Sequence, residues 1–146
     1  MMRTAAIGLA LVVSSSLAMA QTGGTILDMK GTWVGTNVGL VDGPAFHHPP
    51  GVQTTPAGPY RLNRQKFTYK FDGQDGRNFW GTMSSEQAAN IRMLGALSAN
   101  GKLIYMVSKE GHLDGEIIDA DTIEMCYRHA NEKSAVIGCN VMKRQK

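Results

Sequence analysis

From Gly31 onward the chain runs in short segments that alternate apolar and polar positions, each closed by turn residues. Lys66 to Phe71 is the plainest case, with Phe67, Tyr69 and Phe71 on one side and Lys66, Thr68 and Lys70 on the other. A period of two marks a strand with one buried and one solvated face. The same reading predicts strands over Gly31–Val41, Lys66–Phe71, Arg77–Ser84, Asn90–Ala99, Lys102–Ser108, His112–Ile118, Thr122–Ala130 and Ala135–Lys143. Ser84 to Ala89 permits one helical turn or a polar loop, and no segment sustains a helical period. Consecutive strands joined by short turns form an antiparallel meander. About eight of them predict an all-β domain over residues 31–143, closed into a small up-and-down β-barrel with no exposed sheet edge. A β-sandwich is the competing architecture.

The turns fix the register. Asn100-Gly101 is the strongest hairpin signal, because a type I′ turn needs positive φ at both central residues. It pairs Leu97 with Ile104 and Gly95 with Met106. Glu110-Gly111 read the same way pairs Ile104 with Ile117 and Met106 with Gly115. One face then carries Met93, Gly95, Leu97, Ile104, Met106, Leu113, Gly115 and Ile117; the other carries Arg92, Leu94, Tyr105, Val107, Asp114 and Glu116. The first has no charge except Lys102 at its rim, so it points inward. A three-residue turn over Asp119–Asp121 continues that face through Ile123, Met125, Tyr127 and His129, and sends Glu124, Cys126 and Arg128 outward.

Glu132-Lys133 as the last turn sets Cys126 directly opposite Cys139. Counting from the turn makes this a non-hydrogen-bonded pair, the type with Cα atoms about 4.5 Å apart. That separation suits a disulfide. These are the only two cysteines, and no C-x-x-C spacing points to redox chemistry. A structural disulfide is expected. On the final strand Val136, Gly138, Asn140 and Met142 then face inward. Met93, Met106, Met125 and Met142 share that interior, either lining a cavity for apolar ligands or filling an irregular core.

The N-terminus changes the compartment. Arg3, the apolar stretch Ala5–Val13 and Ala18-Met19-Ala20 have the charge, core and A-x-A site of a secretory signal peptide over residues 1–20. The apolar stretch is too short to span a bilayer. An exported protein beginning at Gln21 is expected, periplasmic or extracellular, with a flexible lead-in over residues 21–30. Export also favours the disulfide. The net charge is +3, one unit of it from Arg3, and the cations of the Lys66–Phe71 strand lie on a solvated face. No nucleic-acid partner is expected.

Residues 42–62 form the longest irregular stretch and hold all five prolines. A segment of this kind is more often functional than decorative. It contains His47 and His48, the only metal candidates. A metal site takes three or four ligands, and the nearest carboxylate is Asp42, so these histidines are expected to be solvated and no metal or cofactor is expected. His129, Tyr127 and Asn140 form a second candidate group, either satisfying one another or orienting a ligand. No G-x-S-x-G, phosphate loop or reactive cysteine is present.

Gly31-Thr32-Trp33 ahead of a meander of about eight strands resembles the calycin group, the lipocalin and avidin-type barrels. Phe79-Trp80-Gly81-Thr82 is similar to the F-x-G-T of an avidin strand. The resemblance implies a barrel with Trp33 closing one end and a small ligand inside. The Trp-rich biotin pocket has no counterpart, since only Trp33 and Trp80 are present, and the lipocalin T-D-Y and C-terminal helix are missing. The expected function is non-enzymatic binding of a small apolar or amphipathic molecule, by Trp33, Phe67, Tyr69, Met106, Met125, Tyr127, His129 and Asn140. One alternative is a protein-binding module or enzyme inhibitor acting through residues 42–62, with Leu94, Tyr105 and Val107 as an exposed interface for a partner or a second copy. A second alternative is an isomerase or cyclase with His129 or Tyr127 at the base of the barrel.

Overall fold

The computed structural model describes residues 25–43, 61–86 and 88–146. The expected signal peptide, His47, His48 and most of the 42–62 stretch lie outside the described residues. The chain forms eight antiparallel strands: β1 (Gly31–Asp42), β2 (Arg61–Asp75), β3 (Asn78–Ser85), β4 (Ile91–Leu97), β5 (Leu103–Val107), β6 (His112–Asp119), β7 (Thr122–Ala130) and β8 (Ala135–Arg144). Each pairs with the next, and β1 also pairs with β8 through Trp33–Arg144 and Leu40–Ile137. That last pairing closes the sheet into a barrel and excludes a two-sheet sandwich. Among the described residues there is no helix.

The hairpin registers follow the turn chemistry, with one displacement. Leu97 pairs with Ile104 and Gly95 with Met106, the expected register, but the turn is not type I′: Asn100 lacks the positive φ, Gly101 alone has it at 70°, and the Gly101 amide donates to the Ser98 carbonyl at 2.9 Å to close a turn over Ala99-Asn100. The β5–β6 turn is centred earlier than Glu110-Gly111. Ile104 pairs with Gly115, not Ile117, and Met106 pairs with Leu113. Ser108 holds the turn there: its Oγ accepts from the Glu110 and Gly111 amides at 3.1 and 3.2 Å and its amide donates to the Gly111 carbonyl at 3.0 Å, so the tight turn falls on Lys109-Glu110. A displacement by two residues leaves every side chain on the same face. Between β6 and β7 a bulge at Ile118 and an Asp119–Thr122 pair serve in place of a plain three-residue turn, again preserving the faces.

Cys126 and Cys139 face each other across β7–β8 with Cα atoms 3.9 Å apart and form a disulfide. They lie on the outer face, beside the Arg128–Asp114 ion pair.

One end of the barrel is filled. Trp33, Phe71, Phe79, Leu97, Ile104, Ile123 and Met142 pack there, with Met93, Met106 and Met125 behind them, all buried. The four inward methionines fill core. Phe71 and Phe79 meet edge to face with ring centroids 4.8 Å apart.

Residues 25–30, expected as part of a flexible lead-in, are a packed strap across this end. Met29 is fully buried. The Gln74 carboxamide holds the strap, accepting from the Met29 amide at 2.6 Å and donating to the Leu27 carbonyl at 3.0 Å. The Trp33 indole N–H donates to the Met29 carbonyl at 2.9 Å. Trp33 therefore sits at the closed end.

Candidate functional site

The opposite end carries the exit of β1 and the entry of β2, β4, β6 and β8. Below it the interior holds a cavity of about 90 Å³. Its existence follows from composition. The inward positions at this end are Asn37, Gly39 and Val41 on β1, Asn63 and Gln65 on β2, and Val136, Gly138 and Asn140 on β8. Small glycines and short amides leave space where the closed end has tryptophan, phenylalanine and methionine.

The cavity has two unlike walls. On the β8–β1–β2 side stand the carboxamides of Asn37, Asn63, Gln65 and Asn140. Asn37 and Gln65 are direct cross-strand neighbours, and both are buried. Facing them, β3 and β4 supply Met83 and Ile91, and Phe67 and Tyr69 complete the apolar side. Gly138 makes room for Asn37, since a Cβ there would lie 2.5 Å from Asn37 Oδ1 and 2.8 Å from the Gly39 Cα. Asn140 is turned by its own neighbour, its Nδ2 donating to the Met142 sulfur at 2.9 Å. Asn37 Oδ1 is fully enclosed and accepts no hydrogen bond.

Two phenols border the space. Burial pushes the Tyr69 phenol well above its ordinary range, with the nearby Tyr127 adding to the shift. Burial also raises Tyr127, with Glu110 contributing. Both stay protonated across the physiological range, as hydrogen-bond donors and not as bases. The Tyr127 hydroxyl lies 3.1 Å from the Glu110 carbonyl oxygen, to which it donates, and 2.9 Å from His129 Nδ1. His129 Nε2 lies 3.0 Å from Ser134 Oγ. This chain ties the β7–β8 hairpin to the β5–β6 turn at the rim.

Of the sequence-expected site residues, Phe67, Tyr69, Tyr127 and Asn140 line the cavity. Trp33, Met106 and Met125 lie in the packed half, away from it. His129 belongs to the rim and borders an open groove of about 490 Å³ outside β7, β8 and β1. The expected Tyr127–Asn140 neighbourhood is present, since Tyr127 pairs with Gly138 and Met125 with Asn140. Asn37, Asn63 and Gln65 are additions that only the structure supplies. Asn37 has a readable signal, because it shares parity with Trp33 on β1; Asn63 and Gln65 have none, since they precede the apolar alternation that marks β2. Among the described residues no group of three or more His, Cys, Asp or Glu is placed to hold a metal.

Outside the barrel, Leu94, Tyr105 and Val107 are exposed as expected. Leu94 pairs with Val107 on one side and with Trp80 on the other, making a short apolar row across β3–β5.

The fold and site together define a closed eight-stranded antiparallel barrel, plugged at one end and hollow, with a polar wall, at the other. No family model, curated protein or solved structure matches the chain.

Proposed function

We propose that the protein is an exported, non-enzymatic barrel that binds a small amphipathic molecule in the open half of its interior, in the manner of the calycin-type barrels it resembles. The observation that carries this reading is the two-walled cavity. Apolar side chains on β2–β4 supply burial, and amides on β8–β1–β2 supply a few oriented polar groups, the usual make-up of a small-molecule site. The polar wall favours an amphipathic ligand over a purely apolar one. The disulfide supports an oxidising compartment. Tyr69 and Tyr127 hold their protons, which disfavours either of them as a general base.

The test is a panel of small amphipathic compounds followed by amide chemical shifts in labelled protein. Saturable shifts at Asn37, Gln65 and Asn63 are expected. Shifts confined to outward residues, or none with any compound, would overturn the reading. Tryptophan fluorescence is a poor reporter here, because Trp33 is at the closed end and Trp80 is outside.

A second reading, a protein-binding face, is favoured by the Trp80–Leu94–Val107 row. Capture of a partner from periplasmic extract that Leu94→Asp abolishes would support it.

A further inference from the structure

We infer that the Tyr69 hydroxyl is the donor that anchors a ligand in the cavity, selecting molecules that carry an uncharged acceptor oxygen, such as a ketone, ester or amide carbonyl, on a compact apolar body. This rests on the interior-binding reading and narrows it to a chemical class.

Tyr69 is 4% exposed and lines the cavity. Its Cα partner on β1 is Trp33 and on β3 is Met83, so it stands where the packed half gives way to the hollow one. Its hydroxyl makes no hydrogen bond among the described residues. The oxygen is nonetheless not sealed in. Unlike Asn37 Oδ1, it is open to the space that Tyr69 lines. The neighbouring rings supply no partner. Phe71 meets the Tyr69 ring with centroids 6.2 Å apart and offers no acceptor. The nearby Tyr127 hydroxyl donates to the Glu110 carbonyl and stands 2.9 Å from His129 Nδ1. A phenylalanine would give the core the same ring with no donor to satisfy, and an unmet buried hydroxyl commonly costs about 1–3 kcal/mol. The hydroxyl is therefore completed from the cavity side.

The complement follows from the site. Burial keeps the phenol protonated, so it presents a donor and asks for an acceptor. Among the described residues the lining includes Glu110 and no Lys, Arg or His. A carboxylate or phosphate would lose its hydration there with no cation to meet it, whereas a neutral carbonyl avoids that cost. Phe67, Met83 and Ile91 ask for apolar surface on the rest of the ligand. The enclosed volume, about 90 Å³, is below the roughly 150 Å³ of a cavity known to enclose benzene, so a ring-sized ligand fits only with part of its surface at the mouth.

The test uses cyclopentanone and methylenecyclopentane, which have the same heavy-atom count and nearly the same shape and differ in a carbonyl against an exocyclic methylene. The hydrocarbon is the more apolar, so a cavity that reads only shape and apolarity favours it. Affinities are read from amide shift titrations on wild type and on Tyr69→Phe, which keeps the ring. The expected result is cyclopentanone binding wild type at least about fivefold more tightly than the hydrocarbon, a typical worth for one satisfied buried donor. In Tyr69→Phe the preference should vanish or reverse. Equal binding, or tighter hydrocarbon, in wild type overturns the inference while leaving interior binding in place, and needs no variant to fold. A ketone preference that survives in Tyr69→Phe overturns it too, since an amide of the polar wall is then the donor. Absence of cavity shifts with either probe in wild type overturns the interior-binding reading itself, and the role of Tyr69 with it.

Discussion

The guanidinium of Arg144 lies over the Trp33 indole, 4.2 Å from its ring centroid, and joins the last strand to the first at the closed end of the barrel. The same guanidinium donates to the carbonyls of Lys30 and Asp28, both at 2.6 Å, and to the Ala120 carbonyl at 3.2 Å, and it pairs with Asp121 at 3.2 Å. One side chain thus gathers the strap, β1, β8 and the β6–β7 turn.

Arg144→Ala should cost on the order of 3 kcal/mol, because it removes the charge-assisted hydrogen bonds and the cation–π interaction with Trp33 together. Arg144→Lys should recover less than half, because an ammonium cannot reach several carbonyls in one plane. Urea denaturation measures both. A loss under about 0.5 kcal/mol for the alanine variant would show that these interactions are ornamental.

Met29 gives the strap its grip. Met29→Ala removes a fully buried side chain from the closed end and should destabilise by about 2–5 kcal/mol. A mere tether would tolerate the change within about 0.5 kcal/mol. Thermal and urea unfolding decide between them.

Replacing both Cys126 and Cys139 by serine should cost about 3 kcal/mol, the loop-closure contribution for a bridge separated by 13 positions. The pair is on the outer face, so no core cavity adds to the loss. The variant should keep the same amide spectrum pattern inside the barrel, with a lower denaturation midpoint.

Tyr69 gives stability a dependence on alkaline pH. Its phenol is raised by burial, so the folded state holds a proton that the unfolded chain releases near pH 10. The contribution is complete below that pH. It is lost as pH rises from about 10 toward the folded value, at up to about 1.4 kcal/mol per pH unit. Tyr69→Phe should remove its share of that slope, leaving the share of Tyr127, which burial also raises. Unfolding free energies measured between pH 8 and pH 11, on the order of that range, provide the check.

Gly138→Ala should disturb stability and site together. The new Cβ would meet Asn37 Oδ1 at 2.5 Å, so the carboxamide must move or the strands must part. A cost of about 1–3 kcal/mol is expected from denaturation, with displaced resonances at Asn37 and Gly39.

The β2 strand shows where the sequence stops being legible. It begins at Arg61, not Lys66, and runs on to Asp75 through a bulge after Phe71. Hydrophobic alternation finds a strand only when its inner face is apolar. Asn63 and Gln65 point inward without being apolar, because they line a cavity. The residues that make the site therefore erase the signal that would locate it.

Much is set by the residues alone. Period-two alternation and two-residue turns are local, so the strand count, the inner and outer faces, the Cys126–Cys139 pairing and the inward methionines can be worked out hairpin by hairpin. What only the tertiary structure decides depends on residues far apart in the chain meeting inside the barrel. Met29 meets Gln74 and plugs one end; Asn37 fits beside Gly138 and leaves space at the other. Whether an interior is filled or hollow is a difference between the volume enclosed by eight strands and the side chains projecting into it. No single hairpin contains that difference.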